Sequence, residues 1–186
     1  MFDGLAVRFP EVIDDDAACR PSSLYGWCKA SVESLLSVLA AEGWATSVVR
    51  PTGVYGEDPV TRRPAKWAGI VDGARSGRQP PPIGPGRTEI HVDDVAAVVA
   101  ALLARPQEHV RGLRVNCSDV FVTDAWLRRC ADLILAGEDP PAHHLRPTPG
   151  TPNVLGHVAL DRLGLELRGP RGVVETIRDL LAAAAA

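Results

Sequence analysis

Several features are scarce or missing in this sequence, and each absence excludes a class of protein. The 20 basic and 23 acidic residues give a net charge of −3 without any basic block, so the charge pattern of a nucleic-acid-binding protein is missing. No apolar run approaches the roughly 18 residues that a membrane span needs, and no apolar signal segment is present. The sequence therefore predicts a cytoplasmic protein without nucleic-acid or membrane partners.

Cysteine is also sparse, with four residues at positions 19, 28, 117 and 130 that show neither close pairing nor the spacing of metal ligands. Reduced thiols are therefore expected. The pair His143-His144 lies in a proline-rich stretch without nearby ligand partners, so no metal site is predicted. The 186 residues, 46% of them apolar, are sufficient for one compact domain with a core of its own.

Lysine is the scarcest charged residue, because only Lys29 and Lys66 stand among the 20 basic positions. Lys29 follows Tyr25 by four residues, and side chains four apart on a helix lie on the same face. A compact ammonium beside a phenol favours the phenolate, so the two side chains can form an acid/base pair. The alternative is that Lys29 is only a solvated helix residue.

The surrounding residues predict a helix followed by a strand. Ser22 or Ser23 is a suitable N-cap, and Gly43 is a suitable stop. Between them, apolar residues repeat at helical spacing at Leu24, Cys28, Val32, Leu35 and Leu39. The β-branched run 44–49 predicts a short buried strand, and Thr52-Gly53 is expected to turn the chain and to let another group approach the backbone closely.

Further elements follow the same kind of signal. We expect irregular chain over 1–21 and 138–153, where prolines or an acidic run interrupt every period. An N-cap residue, Asp93 or Asp94 in one case and Thr123 in another, indicates the start of a helix. The predicted helices run from about Trp67 to Gly77, from Asp93 to before Pro106, from 124 to 136, near Leu160 and from about 172; a strand is predicted over 113–117.

Three of these segments together resemble one family. The sequences PSSLYGWCKASVE (21–33), VVRPTGVYG (48–56) and GRTEIHVDDVAAVV (86–99) are similar, in order and in spacing, to the extended short-chain dehydrogenase/reductases. Within these, they resemble the NAD-dependent epimerase/dehydratase group, which acts largely on nucleotide-activated sugars. The resemblance implies an α/β fold, here the C-terminal portion of a Rossmann-like, doubly wound parallel sheet with a small α/β substrate-binding lobe.

The resemblance also implies roles for individual residues. Tyr25 matches the catalytic acid/base, and Lys29 matches the lysine that binds the nicotinamide ribose; NAD or NADP is the implied cofactor. The segment Pro51, Thr52 and Gly53 matches the turn beside the nicotinamide ring. Arg87 matches an arginine that contacts substrate phosphates, although a surface arginine is the alternative, and His91 matches the substrate side of the site.

The resemblance divides the chain into two regions. Residues 1–58 would belong to the cofactor-binding region and carry the catalytic helix. Residues 59–186 would be mainly substrate-binding, with 90–118 returning to the Rossmann sheet. The implied partner is a small-molecule substrate such as a nucleotide sugar. The sequence leaves open whether the chain forms a homodimer.

The sequence departs from the family in two places. No G-x-x-G-x-x-G or G-x-G-x-x-G follows a strand, so the cofactor pyrophosphate site is not encoded. Gly53 stands where many nucleotide-sugar enzymes have an asparagine. We therefore expect an N-terminally truncated chain of an oxidoreductase, epimerase or dehydratase that is inactive alone; the alternative is a non-catalytic remnant that binds partners through exposed apolar surface.

Overall fold

The computed structural model describes residues 7–57, 60, 66–82 and 84–183. The elements in chain order are α1 (Leu24–Ala41), β1 (Val48–Pro51), β2 (Gly53–Tyr55), α2 (Ala68–Arg75), β3 (Arg87–His91), α3 (Val92–Leu103), α4 (Gln107–Val110), β4 (Arg114–Cys117), β5 (Val120–Val122), α5 (Asp124–Leu135), α6 (Val158–Asp161) and α7 (Gly169–Ala183). The chain forms two compact units. The first comprises Met1–Thr52, Val95–Ser118 and Pro149–Glu166, and the second comprises Gly53–Asp94, Asp119–Thr148 and Leu167–Ala186.

The first unit is built around a parallel pair of strands. β1 lies beside β4, with Val48 opposite Arg114 and Pro51 opposite Cys117. The helix α6 packs against β4. Buried apolar side chains from the strand, the helices and the N-terminal loop form the core of this unit: Ile13, Val98, Leu102, Val110, Val115 and Leu160.

Asp15, in the acidic run 14–16, anchors the N-terminal loop to β4 and to α6. Asp15 accepts hydrogen bonds from the backbone nitrogen of Asn116 at 2.7 Å and from that of Ala159 at 2.9 Å. The side-chain amide of the buried Asn116 donates to the carbonyl oxygens of Ile13 and Gly156. Residues 7–21 contain no helix or extended strand, as predicted, but long-range hydrogen bonds hold them in place; residues 1–6 of this prediction lie outside the described residues.

The second unit is a three-stranded sheet covered by helices. β2 runs parallel to β3, and β3 runs antiparallel to β5. The helices α2, α5 and α7 pack against one another. Their shared core contains Tyr55, Trp67, Val71, Val122, Leu127, Val173 and Ile177. The rings of Tyr55 and Trp67 stack with centroids 4.7 Å apart.

The α/β class with a parallel sheet is confirmed, and the predicted helices are present, but the structure differs from the prediction in one strand and one turn, and it contains a further strand. The strand predicted over 44–49 begins only at Val48 and continues through Pro51. Thr52-Gly53 is not a turn, because Gly53 starts β2 and pairs with Glu89 of β3. No pattern in the sequence predicts β5.

Most of the apolar repeat of α1 lies on an exposed face rather than in a core, and Leu39 is half-buried. Leu24 is 81% exposed, Val32 56% and Leu35 59%, and Cys28 is also exposed. The buried residues of this helix are Gly26 and Glu33. An apolar stripe on a helix normally faces a core, so α1 presents a surface of the kind that associates with other protein.

Candidate active site

The predicted acid/base pair lies near the start of α1. Ser23 caps this helix, since its hydroxyl accepts a hydrogen bond from the backbone nitrogen of Gly26 at 3.1 Å. Tyr25 and Lys29 follow on one face, and the Lys29 ammonium lies 5.4 Å from the centroid of the Tyr25 ring. Tyr25 is 70% exposed. The structure therefore brings these two side chains together on a surface open to a ligand.

A buried ion pair fixes the next turns of α1 to the strand β1. Arg50 donates to Glu33 through both Nε, at 3.1 Å, and Nη2, and it also donates to the carbonyl oxygens of Asp15 and Ala17. Arg114 adds a third contact to Glu33 at 3.3 Å. Burial alone would raise the pKa of the Glu33 carboxyl, but the hydrogen bonds and charge of Arg50 hold that pKa below its ordinary value. This pair orients the helix that carries Tyr25 and Lys29.

A cavity of about 610 Å³ opens beside this ion pair. It is lined by α1 residues such as Trp27 and Ser34, by the loop 16–21, and by Arg50 and Arg114. Tyr25 and Lys29 are not among its lining residues. The cavity and the acid/base pair are therefore separate features of the first unit.

The predicted cofactor segment is divided between the two units. Pro51 ends β1 and is exposed, whereas Thr52 is half-buried. The backbone nitrogen of Thr52 donates to the carbonyl oxygen of Cys117 at 2.9 Å, and its hydroxyl donates to the same oxygen at 3.2 Å. Gly53 belongs to the second unit, where it lies opposite Glu89.

Gly53 borders a charged cluster that the sequence did not indicate. A Cβ atom placed on Gly53 would lie 2.5 Å from Nζ of Lys66 and 3.0 Å from Cδ of Glu89. Lys66 Nζ contacts Glu89 Oε2 at 2.5 Å, and the Glu89 side chain is fully buried. The absence of a side chain at residue 53 therefore provides the space that this ion pair occupies.

Arg87 belongs to the same cluster. Its Nε donates to Glu89 Oε1 at 2.5 Å, and its Nη1 donates to Asp124 Oδ1 at 2.7 Å. Burial alone would lower the pKa of Arg87, but the hydrogen bonds with Asp124 and Glu89 raise it. The Arg87 side chain is still 40% exposed, so the guanidinium is both anchored and accessible.

His91, predicted on the substrate side, is almost fully buried at the end of β3. Its Nδ1 accepts a hydrogen bond from the backbone nitrogen of Asp93 at 3.1 Å, and its ring contacts the edge of Tyr55. Burial, and then the charge of Arg168, lower the pKa of His91. His91 thus caps the start of α3, a role that the sequence had suggested for Asp93 or Asp94.

Asp93 and Asp94 lie in the first turn of α3, and the carboxylates of both accept hydrogen bonds from Arg168. Asp93 accepts from the Arg168 guanidinium at 2.6 Å, and Asp94 accepts from the backbone nitrogen of Arg168 at 3.2 Å. Both carboxylates still suit the positive end of the helix.

The buried thiols of Cys117 and Cys130 are poor candidates for a second reactive site. Burial raises the pKa of the Cys117 thiol to about 12 and that of Cys130 to about 11, which makes both thiols poor nucleophiles. No group of three or more potential metal ligands occurs in the part of the chain that the structure describes. Within the same residues, no helix is long and apolar enough to cross a membrane.

Comparisons with known proteins agree with this architecture. The family model described as the NAD dependent epimerase/dehydratase family matches residues 6–118. No curated protein matches the sequence. Among solved structures, dTDP-glucose 4,6-dehydratase from Bacillus anthracis in complex with NAD is 17% identical, with a TM-score of 0.67 over 94% of this chain and 56% of the dehydratase chain.

Two epimerases have similar sequence identities, coverages and TM-scores. UDP-glucose 4-epimerase from Thermotoga maritima with UDP-glucose is 22% identical, with a TM-score of 0.59 over 87% of this chain and 55% of the epimerase. UDP-glucose 4-epimerase from Stenotrophomonas maltophila with bound NAD and formylated UDP-arabinopyranose is 20% identical, with a TM-score of 0.64 over 94% and 60%. The chain thus spans little more than half the length of these relatives. With a family model that matches well over half of its residues, the chain belongs to the NAD dependent epimerase/dehydratase family.

Proposed function

We propose that this chain carries the acid/base and substrate-binding residues of an NAD(P)-dependent epimerase or dehydratase that acts on a nucleotide-activated sugar. The observation that carries this proposal is the placement of Lys29 over the Tyr25 ring on the exposed face of α1, within the segment that the family model matches. Solved relatives bound to UDP-glucose and to other UDP-sugars support the substrate class. The other proposed site residues are Pro51, Thr52, Gly53, Arg87 and His91.

The first unit offers suitable residues for the nicotinamide end of a dinucleotide. The Lys29 ammonium is exposed and can donate to a ribose hydroxyl, and the exposed Tyr25 phenol can exchange a proton with a substrate hydroxyl or ketone. The nicotinamide, when bound, supplies the transfer of a hydride. The role of this chain is then to hold a proton at Tyr25 Oη and to stabilise the phenolate with Lys29.

The sequence lacks a glycine-rich pyrophosphate motif after any strand, and several helix N-termini are already partly occupied. A dinucleotide pyrophosphate normally occupies the unpaired backbone nitrogens at a helix N-terminus. Here one first-turn nitrogen in each of α1, α3 and α5 already donates, to Ser23, His91 and Thr123 respectively, whereas α2 has no side-chain cap. The backbone nitrogen of Gly169, at the start of α7, donates to Asp119 at 2.7 Å. We therefore propose that the 186 residues act only with additional protein that supplies this site.

A second candidate is a partner-binding role without catalysis. The observation that favours it is the exposed apolar stripe of α1, which contains Leu24, Val32 and Leu35. The same stripe is compatible with a homodimer. Activity distinguishes the two candidates, because only the first requires Tyr25 and Lys29.

The experiment is an activity assay on a completed enzyme. The chain is joined to, or co-expressed with, the part of a solved relative that it does not cover, for example that of the Thermotoga maritima epimerase. The completed enzyme is then incubated with UDP-glucose or dTDP-glucose in the presence of NAD or NADP, and the products are identified by NMR. Epimerised or dehydrated sugar would support the proposal. A folded complex that binds NAD but leaves these and other nucleotide sugars unchanged would contradict it.

A further inference from the structure

Arg128 is a buried arginine that leaves most of its hydrogen-bond donors unpaired. It lies on α5, which packs against α2, and its side chain is only 7% exposed. Its Nε donates to Asp132 at 2.8 Å, one turn further along α5. Within the described residues, no acceptor binds its Nη1 or Nη2, which carry the other donors of the guanidinium. Buried polar groups normally have partners, so these donors are available to a ligand.

A second guanidinium lies beside the first. Arg78 follows the end of α2, is exposed, and donates through Nε to the hydroxyl of Ser76 at 3.1 Å. Arg78 Nε and Nη2, at 3.9 Å, and Arg128 Nη1, at 3.5 Å, surround one point, the position that a Cβ atom on Gly73 would take. In the part of the chain that the structure describes, Asp132 is the one carboxylate paired with either arginine. One positive charge is therefore in excess, and an anion between the two cations would relieve their repulsion.

The nearby end of α2 does not provide the acceptors. The carbonyl oxygen of Gly73 accepts from the backbone nitrogen of Arg78 at 3.0 Å. The carbonyl oxygen of Asp72 accepts from the backbone nitrogen and the hydroxyl of Ser76. The partial negative charge at a helix C-terminus favours cations there, but these carbonyls accept no hydrogen bond from Arg128. The Nη donors of Arg128 thus stay open to an acceptor from outside the chain.

Packing alone does not account for the glycine at position 73. Gly73 is buried in α2, and glycine is less favourable than alanine in a helix. A Cβ atom there would meet the guanidinium nitrogens at 3.5 Å and beyond, which is ordinary van der Waals contact. The site can therefore hold alanine without a clash. Glycine instead leaves a space between the two guanidiniums for a group that hydrogen-bonds to both.

We propose that Arg128 and Arg78 form a binding site, seated on Gly73, for a tetrahedral oxyanion of the phosphate class. Such an anion has several oxygens and can accept from both guanidiniums at once, since each guanidinium presents a fork of parallel N–H donors. None of these three residues belongs to the candidate active site, so the inference does not depend on the proposed function. Free phosphate and a phosphoryl group on a larger molecule share this chemistry.

The test is calorimetric titration of the purified 186-residue chain with inorganic phosphate and with O-phosphoserine. The ionic strength is held constant with NaCl, so that screening does not change between injections. We expect saturable binding of phosphate to the wild type. Equal binding of phosphoserine would indicate a phosphoryl group carried by a larger molecule, and weaker binding would indicate the free anion; both results support the site.

Removal of either guanidinium should weaken phosphate binding. Arg128→Met and Arg78→Met should each do so about tenfold or more, because each removes charge-assisted hydrogen bonds. Methionine keeps a long, flexible side chain in the contact between α2 and α5, so Arg128→Met should fold. Arg129→Met is the matched control, since it removes the same charge from the exposed neighbouring position on α5. It should change binding by less than about twofold.

Gly73→Ala tests the position of the anion without removing a charge. Its methyl group would occupy the space between the two guanidiniums, so phosphate binding should weaken about tenfold or more. Alanine favours the helix, so the midpoint of thermal unfolding without phosphate should not fall. Gly69→Ala is the matched control on the same helix, because a Cβ atom on Gly69 would have no neighbour within 4 Å. This variant should bind phosphate as the wild type does.

Three results would overturn the proposal. The first is a wild type that shows no saturable phosphate binding. The second is a folded Arg128→Met or Arg78→Met variant that binds as tightly as the wild type. The third is a folded Gly73→Ala variant with unchanged affinity, which would exclude Gly73 as the seat of the anion. If Arg128→Met does not fold, Arg78→Met and Gly73→Ala decide the question.

Discussion

Arg50 of β1 donates two hydrogen bonds to the buried carboxylate of Glu33, which lies 17 positions earlier on α1. Both side chains are less than a tenth exposed. Arg50 also binds the carbonyl oxygens of Asp15 and Ala17, so one guanidinium joins α1, β1 and the N-terminal loop. Such a pair costs desolvation to form, and its loss leaves a buried charge without a partner.

Glu33→Gln should therefore destabilise the chain by about 3–5 kcal/mol, the usual cost of removing one partner of a buried ion pair. The free energy of unfolding in urea measures this effect. Glu42→Gln, at the exposed end of the same helix, is the matched control and should change stability by about 0.5 kcal/mol or less. A Glu33→Gln variant within that same margin of the wild type would show that the pair contributes no net stability.

The pH dependence of this pair has a definite sign. Because the pKa of Glu33 is lowered in the folded chain, its contribution to stability is complete above the ordinary carboxyl pKa of about 4.5. That contribution is lost as the pH falls through the lower pKa of the folded state. In Glu33→Gln, the loss of stability between pH 5 and 3 should be smaller than in the wild type.

Local signals in the sequence were sufficient to place most helices. Ser23 and Thr123 each accept a hydrogen bond from the nitrogen three residues later, which is the arrangement that their positions predicted. The strands were harder, because β2 and β5 have only three residues each and exist through their pairing with β3. A three-residue run carries too little periodicity to be recognised without its neighbours.

The candidate-site residues also divide into those that local spacing predicts and those that only the fold brings together. Tyr25 and Lys29 are four residues apart on one helix, so their proximity follows from helical geometry alone. Lys66, Glu89 and Asp124 meet Arg87 only through the folding of distant segments, and no spacing in the sequence indicates this. The helix cap at His91 was assigned to Asp93 for a similar reason, since the competing partner of Asp93 is Arg168, 75 residues away.

His91 should make stability depend on pH in the mildly acidic range. Burial lowers its pKa, so the folded chain holds the neutral ring, and stability is complete above the ordinary pKa of about 6.5. Stability should fall as the pH decreases through the lower pKa of the folded state, because protonation removes the acceptor for the Asp93 nitrogen. Nearby charges on Asp93, Asp94, Arg168 and Glu175 also act on this ring.

Thermal unfolding of a His91→Asn variant between pH 7 and 5 tests this expectation. The asparagine oxygen can accept the same hydrogen bond but does not titrate, so the variant should lose less stability than the wild type over this range. His157→Asn, which changes an exposed histidine paired with Asp161, is the control. Parallel curves for the wild type and His91→Asn would contradict the assigned role.

Tyr25→Phe should reduce turnover of the completed enzyme by about 10²–10⁴-fold and leave dinucleotide binding nearly unchanged, because only the transferable proton is lost. Lys29→Arg should also reduce turnover, since the larger, planar guanidinium of arginine cannot replace a compact ammonium. Tyr55→Phe is the matched control: Tyr55 is the other tyrosine of the chain and is buried in the core of the second unit. Unchanged turnover in Tyr25→Phe would exclude this residue as the acid/base.

The last prediction concerns dinucleotide binding by the 186 residues alone. Affinity for NAD in folds of this kind depends on glycines that let the backbone approach the pyrophosphate and on open nitrogens at a helix N-terminus. Of the glycines with positive φ in the described part of the chain, Gly169 stands at a helix start, where its nitrogen already donates to Asp119. Gly43, Gly77 and Gly137 stand just beyond the C-terminal ends of α1, α2 and α5. Such positions terminate helices and do not cradle an anion.

Tyr25, Lys29, Pro51 and Thr52 could contact only the nicotinamide end, which is the smaller part of the cofactor surface. We therefore expect calorimetric titration of the purified chain with NAD and with NADP to give no saturable heat at micromolar concentrations. We also expect the purified chain to show no oxidoreductase activity. Saturable micromolar binding of NAD or NADP would mean that a pyrophosphate site is formed by residues outside the helix N-termini described above.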